Sequence, residues 1–352
     1  MTIDDLMLQR GEWLQGTGPM SDVVISSRIR LARNLANYPF RNRAGESDLA
    51  EILRTVSEAA LSCRSCKDAT ALDLDPADPL DRQVLVERHL ISRQLADAPG
   101  PRGVVVTRGE TLAVMINEED HVRLQALRSG LQLTTLWGEI NTLDDELAER
   151  VEFAFDGRLG YLTACPTNLG TGIRVSVMLH LPALKLTNEI VRVARAAEEL
   201  RLAIRGLYGE GTDAVGDFYQ ISNQTTLGKS EEEIIEEFGE SIIPRVVEYE
   251  RAARQALIEK RPVQLDDRIW RAFGNLRTAR IISSEETLLH LSHLRLGIAT
   301  GRFPKMDVKE LNDLIMPTQP AHLQKRTGRT MSGEERGALR AAFLRERLHH
   351  LN

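Results

Sequence analysis

The spacing of apolar residues changes several times along the chain, and each change predicts an element. Residues 47–62 (SDLAEILRTVSEAALS) carry apolar positions at helical spacing behind a capping serine, and 82–95 read as a second helix. Gly103 to Asn117 (GVVVTRGETLAVMIN) is two β-branched runs about Arg108-Gly109-Glu110, which predicts a hairpin. Helices are expected at about 122–133 and 142–155. Residues 174–181 (RVSVMLHL) alternate like a strand, and Pro182 opens an amphipathic pattern that predicts one long helix to about Ile204. Another strand is expected at 217–223, ended by a turn at Gly228, after which Ser230 caps a glutamate-rich helix.

Beyond Lys260-Arg261-Pro262 strand signals vanish. Only helical patterns remain, near 264–282, 285–299, 307–315 and 332–349. Strands and helices mixed without strict alternation predict an α+β fold. The change of character divides the chain into residues 1–258, a mixed strand and helix domain, and 259–352, a small all-helical domain.

Bulk properties narrow the function classes. The net charge of −6 gives no global basic field for nucleic acid. No run approaches the ~18 apolar residues of a membrane span, and the acidic start MTIDDLMLQRGEW lacks the order of a signal peptide, so the cytoplasm is the expected location. Three cysteines, Cys63, Cys66 and Cys165, make no disulfide framework, and the CxxC of Cys63 and Cys66 has no second pair at zinc spacing. It reads as two thiols near a helix end.

Five segments place arginines and acids beside glycine, serine or turn residues: Ser26-Ser27-Arg28-Ile29-Arg30, Asn117-Glu118-Glu119-Asp120-His121-Val122-Arg123, the string CPTNLGTG from Cys165, Arg174-Val175-Ser176-Val177-Met178, and Arg205-Gly206-Leu207-Tyr208-Gly209-Glu210. Each alone has a structural explanation, as a strand edge, a helix start or a flexible loop. Together they suit binding of a nucleoside triphosphate. Phosphoryl transfer spreads charge over equatorial oxygens, and arginine forks bind such oxygens while staying charged. The GxxxxGK[ST] loop and the kinase catalytic loop are both missing from the sequence. Arginines would have to do most of the phosphate binding. A guanidinium acceptor has no free lone pair, so a carboxylate must orient it and take its proton; Glu119 and Glu210 are candidates from separate segments. A thiolate at Cys165 would add negative charge beside such a cation.

These motifs resemble the signatures of the phosphagen (guanidino) kinase superfamily, and more closely its bacterial branch, the protein arginine kinases. The resemblance runs from about Val23 to Gly239. It implies an antiparallel sheet flanked by helices, ATP with Mg²⁺ carried mainly through the nucleotide, Glu119 and Glu210 as the guanidinium-binding pair and Cys165 as the substrate-side thiol. It also assigns nucleotide contacts to Arg28, Arg30, His89, Arg123, Arg174 and Arg205, with Ser26, Ser27, Ile29, Val175, Ser176, Val177, Met178, Gly206, Leu207, Tyr208, Gly209 and Glu210 lining the site.

Only twenty-five residues precede Ser26, where kinases of small guanidino compounds resemble one another in carrying a helical domain of about one hundred. The expected acceptor is therefore arginine within a protein. The helical C-terminus resembles a dimerisation and substrate-docking domain with a regulatory phosphoarginine pocket, for which Arg336, Arg340 and Ala341 are the counterparts. Gly337 stands where that motif has Asp. The resemblance further implies a homodimer, roles in stress response and regulated proteolysis, and an activator or chaperone-protease partner. A small-molecule guanidino kinase and a non-catalytic phosphoarginine-binding adaptor are the alternatives.

Overall fold

The protein is seen in a computed structural model that describes residues 2–206 and 215–349. In chain order the first part holds α1 (Ile3–Met7), β1 (Val24–Arg33), α2 (Glu46–Ser62), β2 (Thr70–Asp73), α3 (Pro79–Glu87), α4 (Arg93–Asp97), β3 (Gly103–Val106), β4 (Leu112–Ile116), β5 (Val122–Ser129) and α5 (Leu133–Ala148). A short hairpin, β6 (Phe155–Asp156) and β7 (Gly160–Tyr161), precedes β8 (Ile173–His180), α6 (Pro182–Leu186), α7 (Ile190–Glu199), β9 (Leu202–Gly206), β10 (Phe218–Asn223), α8 (Glu231–Glu236) and α9 (Ile243–Lys260). Among the described residues, eight strands form one sheet in the order β2-β3-β4-β5-β1-β8-β10-β9, every neighbouring pair antiparallel.

Alternation along the central strands gives this sheet two unlike faces. Ile29 and Leu31 of β1, Leu124 and Ala126 of β5, Val175 and Val177 of β8, and Ile221 of β10 are buried in one core with Leu136, Ile140 and Leu143 of α5 and Val246 and Val247 of α9. The residues between them, arginines and polar side chains, point to the opposite face.

Four expected helices are corrected. Residues 122–129 are strand β5, because Val122, Leu124 and Ala126 alternate inward in a stretch short enough to mimic helical spacing; the following helix begins at Leu133 and ends at Ala148. The long helix from Pro182 breaks at Asn188, whose φ is 61°, and ends before Arg201, whose φ is 55°, so that 202–206 become edge strand β9. The helix over 82–95 is two, α3 and α4, separated by His89 with φ 60°.

From Pro262 the chain is helical: α10 (Pro262–Thr278), α11 (Ser284–Ala299), α12 (Val308–Asn312), α13 (Pro320–Thr327) and α14 (Gly333–Leu348). Their core, including Leu276, Leu291, Leu294 and Leu344, is continuous with Trp13 and Leu14 near the N-terminus and with Ile25, Leu127, Met178 and Phe218 of the sheet. The helical region thus packs on the chain's first residues and on one end of the polar sheet face.

Candidate active site

Register places the arginines side by side. Arg30 on β1 pairs with Arg174 on β8 and with Gln125 on β5; Arg28 pairs with Ser176, Ala32 with Arg123, and Gln220 with Arg205. Residues two apart on a strand share a face, so Arg28, Arg30, Arg123, Arg174 and Arg205 form one cationic surface.

Neutral groups hold several of these guanidinium ions. Arg28 donates from Nη2 to Gln220 Oε1 at 2.6 Å and from Nε to Ser176 Oγ at 3.4 Å, and Arg174 donates to Ser222 Oγ at 3.1 Å. Arg30 Nε is buried and has no hydrogen-bond partner among the described residues. Burial, followed by repulsion from Arg174, Arg123 and Arg205, pushes the Arg28 pKa down to about 10, and burial with the same kind of repulsion lowers Arg30 further. A face that holds cations together at this cost is built to receive anionic oxygens.

The NEEDHVR string forms the β4–β5 connection, and each acid in it has a separate task. Glu118 is buried and accepts Arg123 Nη1 at 2.5 Å and Ser92 Oγ at 2.5 Å, while its other oxygen accepts the Glu119 backbone N–H at 2.9 Å. Glu119 stays half-exposed, 3.3 Å from Arg123 Nη2. Asp120 accepts Asn34 Nδ2 and the Ala164 N–H, both at 2.7 Å, which ties this loop to the residue before Cys165. His121 accepts the Leu35 N–H on Nδ1, so its Nε2 donates to the Pro39 carbonyl at 2.9 Å and the ring is neutral; burial lowers its pKa accordingly.

The CPTNLGTG string is a loop whose glycines are required by space. Gly172 has φ 65°, and a Cβ there would lie 2.7 Å from the Ala32 carbonyl; Gly170 has φ 103° and lies as close to the Thr226 carbonyl. Thr226 Oγ1 lies 2.9 Å from the Thr167 carbonyl and 2.7 Å from that of Leu169. Beneath the loop a buried pair, Arg33 and Asp144 at 2.7 Å, fixes the end of β1. Cys165 is half-exposed with Sγ 3.0 Å from Thr167 Oγ1.

These elements enclose a cavity of about 350 Å³ lined by Arg30, Arg123, Arg174 and Arg205 together with Glu119 and Cys165. It therefore gathers fixed cations, a reachable carboxylate and a thiol. At its other end a narrow cleft is bounded by Ser26, Arg28, Ser176, Met178, His89 and Trp13. The His89 ring meets the edge of Trp13 at 4.6 Å; burial, then Arg28 and Arg93, pushes its pKa down to about 3, so the imidazole is neutral.

The structure turns some side chains of the expected lining away from the cavity. The side chains of Ser27, Ile29, Val175 and Val177 are buried on the opposite face: the three aliphatics lie in the core, and Ser27 bonds the Gly130 carbonyl at 2.7 Å. They cannot touch a ligand on the polar face because strand alternation turns them away. Gly206 closes β9, whereas Leu207, Tyr208, Gly209 and Glu210 lie outside the described residues. Gln94, Trp13, Gln220 and Ser222 escaped the sequence reading. Gln220 and Ser222 carried a usable signal, the alternation of DFYQISN, while nothing in sequence places Trp13 beside His89.

The counterparts of the expected phosphoarginine pocket are engaged in the packing of the helical region. Arg340 is buried and donates from Nε to the Thr318 carbonyl at 2.6 Å and from Nη1 to that of Ile282 at 2.9 Å; Ala341 is in the core. Arg336 donates to the Met331 carbonyl at 2.6 Å. A Cβ at position 337 would meet Ile281 Cγ2 at 2.9 Å, so glycine is what the packing admits there.

Comparison with known proteins accounts for this arrangement. Residues 51–253 match the family described as ATP:guanido phosphotransferase, C-terminal catalytic domain, and residues 262–352 match the protein-arginine kinase McsB C-terminal domain. The chain belongs to the protein-arginine kinase family. It is 48% identical to the protein-arginine kinase of Symbiobacterium thermophilum over 96% of both chains, and 43% identical to that of Bacillus subtilis over 96% of this chain and 93% of the relative. Among solved structures, lombricine kinase superposes with a TM-score of 0.58 at 27% identity, over 73% of this chain and 71% of the other. The duplicated taurocyamine kinase of Schistosoma mansoni gives 0.58 at 29% over 67% and 34%. The antiparallel sheet flanked by helices is thus the phosphagen kinase fold, and the family uses ATP.

Proposed function

We propose that this protein transfers the γ-phosphoryl group of ATP to the guanidinium of arginine side chains in proteins, giving ADP and phosphoarginine. The observation that carries the reading is the face on which Arg28, Arg30, Arg123, Arg174 and Arg205 are held next to Glu119 and Cys165. In this reading Arg30, Arg123, Arg174 and Arg205 hold the phosphates and take up charge on the equatorial oxygens. The Glu119 carboxylate aligns the acceptor guanidinium and takes the proton that leaves its nitrogen as that nitrogen bonds to phosphorus and the bond to the ADP oxygen breaks. Glu210 would be its partner, and a thiolate at Cys165 would favour the cationic acceptor.

Among the described residues no three His, Cys, Asp or Glu side chains come together as a metal cage. Mg²⁺ would enter with the nucleotide, bound through its phosphates, and would neutralise their charge. We take residues 1–258 as the catalytic unit and 259–352 as a region for docking and dimerisation. No described helix is long and apolar enough to cross a membrane, and ATP use with three free thiols suits the cytoplasm. Stress response and marking of proteins for proteolysis belong to the same reading.

The test is an assay of wild type and Glu119→Ala with ATP and either casein or free arginine, read as acid-labile phosphate and located by mass spectrometry. Phosphoarginine on casein only, abolished in the variant, is the expected result. Transfer to free arginine alone would make the protein a small-molecule kinase, and nucleotide binding without transfer would make it an adaptor.

A further inference from the structure

Three consecutive residues at the end of α3 reach three different parts of the molecule. Glu87 accepts the Ala321 and His322 N–H groups at 2.7 and 3.1 Å and lies 2.6 Å from His322 Nδ1, so it caps the start of α13. Arg88 donates to buried Glu110 at 2.7 Å and to the Gln9 carbonyl at 3.0 Å, clamping the N-terminal segment. His89 follows with φ 60°, its carbonyl accepting Gln125 Nε2 from the polar sheet face at 2.7 Å.

The other side of the same cleft is also tied to the helical region. Asn312, at the end of α12, donates from Nδ2 to the Leu14 carbonyl at 2.9 Å, while its Oδ1 accepts Arg295 at 2.8 Å. Arg10 and Asp313 form a two-pronged ion pair at 2.5 and 2.6 Å. Trp13, 4% exposed, is held between these anchors and lines the cleft opposite Met178 and Gln220. One wall of the cleft is therefore hydrogen-bonded sheet, and the other is Trp13 with His89, carried on segments that α12 and α13 hold. The cleft has free space of only about 20 Å³, so a planar ring enters by parting Trp13 and His89 from the sheet, and the anchors on α12 and α13 set where that second wall comes to rest.

We infer that Trp13 contacts the nucleotide base, and that Asn312 and Glu87 are positioning residues through which the helical region sets nucleotide affinity. This rests on the reading of the arginine face as the phosphate site. A base against an aromatic side chain gains by stacking, independently of the phosphate contacts. Asn312 and Glu87 touch no part of the nucleotide in this arrangement and act through Leu14 and His89.

Calorimetric titration of the full chain with ADP and, separately, with inorganic tripolyphosphate separates the two ends. Trp13→Leu and Asn312→Ala are expected to raise the Kd for ADP about tenfold, ~1.4 kcal/mol, and to leave the Kd for tripolyphosphate unchanged. Glu87→Ala is expected to weaken ADP several-fold, with Glu87→Gln restoring most of the loss because one oxygen still accepts. In steady state the KM for ATP should rise while the KM for a protein acceptor stays constant. Arg30→Ala is the control and should weaken both ligands. Unchanged ADP affinity in Trp13→Leu and Asn312→Ala overturns the inference while leaving the phosphate site intact, and equal weakening of both ligands shows a merely structural role and overturns it too. If Arg30→Ala binds both ligands normally, the underlying site is misplaced and the inference falls with it.

Discussion

Glu118, 1% exposed, holds Arg123 through a 2.5 Å contact between Oε1 and Nη1, and its other oxygen fixes the backbone of Glu119. One buried carboxylate thus aims both a phosphate-site arginine and the candidate base. Glu118→Gln removes the nearer and buried one of the two carboxylates beside Arg123, leaving Glu119 at 3.3 Å, and breaking a buried pair costs about 3 kcal/mol. Urea unfolding is expected to show that loss. ATP turnover should fall far more than the stability loss explains, because Glu119 is no longer held.

Arg30 lies among like charges, so its removal has opposite effects on the free and bound protein. Arg30→Ala should raise the melting temperature without ligand, since burial and repulsion from Arg28, Arg123 and Arg174 disfavour its charge. With saturating ATP the stabilisation by mass action should be smaller than in wild type. A variant less stable when free and equally stabilised by ATP would refute the strained-cation account.

Much of this site was legible in the sequence because its motifs are local strings. CPTNLGTG and NEEDHVR each build one loop, and Arg28 and Arg30 share a face by simple alternation. The same alternation puts the side chains of Ile29, Val175 and Val177 in the core. What could not be read was long-range: Gln220 of β10 meeting Arg28 of β1 across β8, and Trp13 meeting His89. The helix expected at 122–133 is strand over 122–129 because eight residues offer too few repeats to separate a period of two from 3.6.

The three thiols should react very differently. Cys63 and Cys66 are each 2% exposed, and burial raises both pKa values, Cys66 to about 12 with help from Cys63 and Glu146. Thiolate is the reacting form. Iodoacetamide on native protein at neutral pH should label Cys165 alone, and saturating ATP with an arginine-bearing peptide should slow the labelling. Peptide mass spectrometry reads the outcome, and modification of Cys66 at a comparable rate would contradict the packing.

Stability should fall as pH drops from 7.5 to 5.5. Burial holds His180 neutral, with its pKa well below 6.5, and lowers His293 to about 4 and His89 to about 3. The unfolded chain takes up these protons near pH 6.5 while the native state does not, so stability is present above that pH and lost below it. Buried carboxylates with raised pKa, such as Glu250, act in the opposite sense. The difference between wild type and His180→Gln isolates the histidine: the variant's urea midpoint should change less over this range.

Position 337 tests whether the C-terminal region senses phosphoarginine. Arg340 spends Nε and Nη1 on the carbonyls of Thr318 and Ile282, and freeing it for an anion would orphan two buried acceptors. Gly337 lies against Ile281 and accepts the Ile282 N–H through its own carbonyl at 3.2 Å, so a side chain here must push that turn aside. Phosphoarginine added to wild type should leave both kinase activity and the calorimetric baseline unchanged. Gly337→Asp should lower stability by roughly 1–3 kcal/mol, as overpacking does. If the displaced turn also releases Arg340, the variant should gain phosphoarginine binding that Arg340→Ala removes. Saturable binding by wild type would show that the Arg340 contacts open at little cost, against the packing described.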